Sequence, residues 1–183
     1  MVLCPKLTDV NLNDTKITDT GIQKLATSGC KVVNLGVAST DVTDAGLACL
    51  QQMPGLWGIR VDVAQFSDLG VSNLQSKNMG SIEVGTCSEK RKIALLQRGV
   101  KFPEQIDDQV VARISQLKSL WGVQLTGNSP DEPAALTGVA VKSLASLPKL
   151  TDLLITDLRV DPAVLQQIRK EMPRLRVLLN GKR

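Results

Sequence analysis

The sequence has no histidine and no tyrosine, and only two tryptophans, two phenylalanines and four cysteines in 183 residues. Without histidine the usual general base near neutral pH is missing. The Ser–His and Cys–His nucleophile pairs and the common catalytic zinc sites go with it. Cys4, Cys30, Cys49 and Cys87 contain no C-x-x-C spacing. A structural zinc would need all four scattered thiols, so reduced, packed cysteines are expected, with no metal and no other cofactor. Aromatic content of 2% leaves little on which to stack bases, which argues against single-stranded nucleic acid as the partner. No stretch approaches the roughly eighteen apolar residues of a membrane span, and no basic-then-apolar leader is visible, so the expectation is a cytoplasmic protein. The glycines form no phosphate-binding motif. Asp107, Asp108, Asp131 and Glu132 show no pairing pattern and read as a helix start and an exposed loop. These absences together point away from an enzyme.

What is present is a repeat. Residues 7–25, LTDVNLNDTKITDTGIQKL, join two apolar periods end to end. Leu7, Val10 and Leu12 follow L-x-x-L-x-L, whose last two members alternate as in a strand. Ile17, Ile22 and Leu25 follow, the last two at the i, i+3 spacing of a helix. Thr15, Thr18 and Asp19 lie between, where a hydroxyl or carboxylate satisfies a free amide at a helix start. Each unit is therefore a short strand, a turn and a short helix, with one apolar side it cannot bury alone. Stacked copies bury it. Val32, Leu35, Val37, Val42, Asp44, Gly46 and Leu47 repeat the pattern, and Leu56, Ile59, Val61, Phe66, Asp68, Gly70 and Val71 repeat it again. Pro5, Pro54, Pro148 and Pro173 each stand two residues before a strand-opening leucine, where proline stops the preceding helix.

These motifs, clearest at residues 15–25 and 40–50, resemble leucine-rich repeats of the T-x-I-T-D-x-G-L-x-x-L kind, common in bacterial repeat proteins and in the receptor part of F-box proteins. The resemblance implies an α/β right-handed solenoid, or horseshoe, with a parallel sheet on its concave face and helices outside. It extends over 1–183 as one domain of about seven to eight coils, giving eight strands. An F-box-type adaptor role would need a further domain, so the resemblance carries architecture alone.

Residues 86–106 depart from the repeat. Ser88 is placed to cap a helix with Ile93 and Leu96 inward, and Val100 to Phe102 read as a thin fifth strand, so curvature should be irregular there. A polar insertion, SPDEPA at 129–134, leaves the sixth strand as a surface loop. Gly21, Gly46 and Gly70 recur at one helical position, which points to close approach of helix to strand. The first strand has little ahead of it to cover its edge, an arrangement that favours self-association or an upstream segment.

Between the inward leucines, residues face the concave surface. That column reads Asn11, Gly36, Arg60, Glu83, Lys101, Gln124, Leu154 and Leu179, flanked by Asp9, Asn13, Asp62, Thr126, Asp152 and Thr156. Charged side chains beside apolar ones suit a protein partner. Trp57 and Trp121 share one register, each inside Leu-Trp-Gly, and are either binding anchors or seals for the strand starts. The expected partner-binding set is Arg60, Asp62, Glu83, Lys101, Gln124, Thr126, Asp152, Leu154, Trp57 and Trp121. The leading expectation is a protein-interaction module. Assembly through the solenoid ends is one alternative. Another is contact with an anionic surface or nucleic acid, because residues 91–183 carry 15 basic and 9 acidic side chains against 7 and 9 in residues 1–90.

Overall fold

Val10, Leu35, Ile59, Ile82, Val123, Leu153 and Val177 stand side by side across one parallel sheet, each paired in register with the next. The computed structural model describes residues 6–75, 77–97, 105–128 and 136–180. Among these, seven strands run in chain order: β1 (Asp9–Asn11), β2 (Asn34–Gly36), β3 (Gly58–Asp62), β4 (Ser81–Gly85), β5 (Gly122–Thr126), β6 (Asp152–Thr156) and β7 (Arg176–Leu179). Between them lie α1 (Asp19–Thr27), α2 (Asp44–Cys49), α3 (Asp68–Gln75), α4 (Glu89–Gln97), α5 (Asp108–Ile114), α6 (Gly138–Ala145) and α7 (Pro162–Glu171). All but α4 form one layer in which each helix packs on the next. The aliphatic core fills the space between that layer and the sheet, with Phe66 its largest fully buried side chain.

Eight strands were expected, and the described residues form seven. β4 bonds directly to β5 along five residue pairs, so no strand stands between them. The described part of the chain between these two strands holds both α4 and α5. Val100, Lys101 and Phe102, assigned to the expected fifth strand, lie outside the described residues, as does the 129–134 insertion. α4 differs from expectation too. Its Arg91 turns toward the body, pairing with Asp41 at 2.8 Å, while Ile93 and Leu96 are 55% and 62% exposed. Holding the cation inward rotates the apolar pair outward. The last strand is shifted by one residue relative to the leucine pattern: Leu154 pairs with Leu178, and Val177 and Leu179 pack against the core. Leu178, not Leu179, continues the open column.

The Thr-Asp pair of the repeat divides its work between two coils. The Thr43 hydroxyl caps its own helix by accepting from the Ala45 amide. Its amide and hydroxyl also donate to the Asp19 carboxylate of the coil before, each at 2.7 Å. Asp44 then accepts from the Ser67 hydroxyl at 2.8 Å. Asp108 accepts from the Thr137 amide at 2.8 Å and from the Ala140 amide at 3.2 Å. Where α5 follows α3, Arg113 takes that place, its Nε 2.7 Å from Asp68.

These carboxylates crowd two of the three recurrent glycines, Gly46 and Gly70, whereas at Gly21 a Cβ would strike Ile17 of the same coil. A Cβ on Gly46 would strike Asp19 Oδ1, and one on Gly70 would lie 2.8 Å from Asp44 Oδ1. Gly46→Ala should gain about 1 kcal/mol of helix propensity and lose more than that to the collision, for a net loss of about 1–2 kcal/mol in urea unfolding. Adding Asp19→Ala should shrink the penalty of the glycine change, and a double-mutant cycle reads that coupling.

Candidate functional site

Among the described residues the helices cover one face of the sheet, and the other is open across its width. Two rows of side chains line it. The first runs Asp9, Asn34, Gly58, Ser81, Gly122 and Asp152; the second runs Asn11, Gly36, Arg60, Glu83, Gln124 and Leu154. Together they form a shallow groove of about 460 Å³ that crosses the strands. Strand alternation puts every second residue there, and the absence of a second helix layer leaves it uncovered.

The polar side chains of this face bond to one another. Glu83 Oε1 accepts from the Thr126 hydroxyl at 3.0 Å, and Thr126 Oγ1 accepts from Gln124 Nε2 at 3.2 Å. Arg60 Nε lies 3.2 Å from Glu83 Oε1 but out of line for a hydrogen bond, so this shielded N–H has no bonded partner among the described residues. At the two ends of the first row stand carboxylates. Asp9 accepts from Asn34 Nδ2 and from the Thr8 hydroxyl, both at 2.7 Å, and these bonds hold its carboxyl below the usual range. Asp152 accepts from the Thr151 hydroxyl and pairs with Arg176; the hydroxyl first, then the guanidinium, lower its carboxyl in the same way.

Of the expected set, Arg60, Glu83, Gln124, Asp152 and Leu154 line the groove, and Thr126 borders it. Lys101 is outside the described residues. Asp62 is a correction. Expected on the open surface, it is fully buried, because its carboxylate turns back to close the loop after β3. It accepts from the Ser39 amide of the coil before and from the Ala64 and Gln65 amides, all within 3.0 Å. Buried Gln65, which sequence reasoning did not single out, completes the junction. Its Nε2 donates to the Val37 carbonyl, Thr40 Oγ1 and the Val42 carbonyl. An Asp at a strand end followed by a turn is a legible Asx signal, whereas nothing near Gln65 announced its reach across coils.

Trp57 and Trp121 stand on the rim where strands begin, 47% and 51% exposed. Their neighbour Gly80 lies between them in the sheet: its amide donates to the Trp57 carbonyl, and its carbonyl accepts from the Trp121 amide. The Trp57 indole lies on Gly80, where a Cβ would run into the ring. Gly80, rather than Gly58, makes room for the ring. The two indoles and the glycine between them form one aromatic ledge beside the groove.

Residues 3–26 match the Leucine Rich repeat family, and the seven in-register parallel strands carry the same unit to the end of the sheet. Both findings fit a leucine-rich-repeat protein. No curated protein matches its sequence. Leucine-rich repeats generally serve as protein-interaction modules. Among the described residues of this repeat protein, no cluster of Cys, Asp and Glu is arranged to hold a metal, and no helix is long and apolar enough to cross a membrane.

Cys87 lies at the same junction as Asp62, fully buried. Burial, with the Asp62 carboxylate beside it, pushes its thiol up to about 12. The reactive form is the thiolate, so native Cys87 should stay unmodified by iodoacetamide near pH 8 and react once urea opens the fold, as mass spectrometry of the peptide would show. Asp62→Ala removes the acceptor of three amides and should cost at least about 3 kcal/mol in urea unfolding. Asp152→Ala, half exposed with a surface ion pair, should cost about 1 kcal/mol or less.

Proposed function

We propose that this leucine-rich-repeat chain is a non-enzymatic module that binds a protein partner through the open face of its sheet and the adjoining rim. The observation that carries the reading is the uncovered face itself. All-parallel sheets are ordinarily covered on both sides; here one side is bare, grooved, and flanked by two half-exposed tryptophans. Tryptophan and arginine dominate binding energies at protein interfaces, and Trp57 and Trp121 supply them on one side of this groove and Arg60 on the other. Glu83, Gln124, Thr126 and Asp152 give the surrounding polarity that fixes orientation, and Leu154 supplies an apolar patch at the far side.

A partner captured from cell extract on the immobilised chain should be lost with Trp121→Ala and with Arg60→Glu, while both variants melt within a few degrees of the parent, since each side chain is largely outside the core. Mass spectrometry of the captured material reads the outcome. A partner retained equally by both variants would move the interface elsewhere on the molecule.

A further inference from the structure

We infer that the groove takes an extended peptide segment with a basic residue at one end and a large apolar residue about four positions away. The inference rests on the protein-binding reading above and specifies the form and charge of what is bound.

The groove floor is made of small residues. Gly58 and Gly122 have no side chain there, and Ser81 between them has a short one. Asn34 Oδ1 and Ser81 Oγ lean over Gly58, 2.5 and 2.8 Å from where a Cβ would stand. Two polar atoms converging over a bare backbone suit the amides of another main chain. On one side the floor ends at the rim that carries the Trp57–Gly80–Trp121 ledge, and on the other it is walled by Arg60, Glu83 and Gln124. These borders are three residues apart along the strand, about 10 Å. An α-helix with its side chains is about 10–12 Å across and would ride on both borders, whereas an extended chain lies on the floor.

Charge sets the direction of recognition. The Arg60 and Arg176 cations each face a carboxylate of the groove, Glu83 and Asp152 respectively. Asp9 has only neutral partners, Asn34 and Thr8, and no cation pairs with it among the described residues. Among the described residues it is a negative charge with no cation on it, at the β1 end and exposed to solvent. From Asp9 to the ledge at β4 is three strand spacings, about 14 Å, which an extended chain covers in about four residues. A lysine or arginine on Asp9 therefore places a side chain about four positions away over the indoles, where an apolar or aromatic group packs best.

Panning a phage-displayed library of random peptides about twelve residues long, enough to cross all the strands, against the full chain tests this. Sequences with Lys or Arg about four positions from Trp, Phe or Leu should be enriched. A synthetic peptide of the enriched sequence should bind Asp9→Asn and Gly122→Val at least about tenfold more weakly than the parent in calorimetry. Gly122→Val is chosen because a Cβ there meets only Ser81 Cβ, at 3.8 Å, so it fills the groove and leaves the fold intact. Failure of any linear sequence to enrich, or equal binding by Gly122→Val, overturns the inference. So does a dimer in analytical ultracentrifugation that Gly122→Val dissociates, since a second copy would then be the occupant. In each case a captured folded protein that is still lost with Trp121→Ala leaves the broader reading standing, and the two fail separately.

Discussion

The bond from one coil's aspartate to the next coil's helix start is the constraint on which this solenoid depends. Strand pairing alone joins the coils along one side, through backbone groups that carry no sequence preference. The helices on the other side are short, six to ten residues, and would be marginal in isolation. Each leaves amides at its start with no partner of its own. At α2, α3 and α6 the cap hydroxyl satisfies one, and the carboxylate from the coil before reaches the cap residue itself. That carboxylate also favours the positive end of the helix dipole. At these three junctions stacking fixes where the helix begins, and the beginning of the helix fixes the stacking.

A second set of junctions works at the other end of each strand, where the chain turns toward the helix. Asp14, Ser39, Asp157 and Asn180 adopt left-handed backbone there. The turns are held by side chains from neighbouring coils: Asn13 accepts from the Ala38 amide, Asp62 from Ser39 and Asn180 from Asp157. Polar groups tie the loops on this side and the helix starts on the opposite layer, and the aliphatic core lies between. The open face has neither duty. Its side chains are small or bond among themselves, which leaves the groove free and the two indoles standing at its border.

The repeat was legible because its signals are local and redundant. Ile59 and Val61, or Leu153 and Ile155, alternate over five residues, and the prolines mark the same register independently. The inward and outward sorting of the strands followed from alternation, and so Arg60, Glu83, Gln124 and Leu154 were placed on the groove from sequence. The errors fall where alternation meets something longer in range. Asp62 obeys the alternation and is buried anyway, because amides from two coils converge on it. Leu178 and Leu179 exchange roles through a one-residue shift that only pairing with β6 fixes. Ile93 and Leu96 have helical spacing, yet the ion pair between Arg91 and Asp41, fifty residues apart, turns their face outward.

The sequence by itself determined the unit, its period, its aliphatic core and the row of residues between the leucines, since all of these depend on neighbours within one coil. The tertiary structure alone decided that β4 meets β5 directly, because no local pattern records which strand a strand will meet. It also decided why Gly46 and Gly70 meet a carboxylate in their helices and which polar residues are buried, because partners of each belong to another coil, twenty or more residues away.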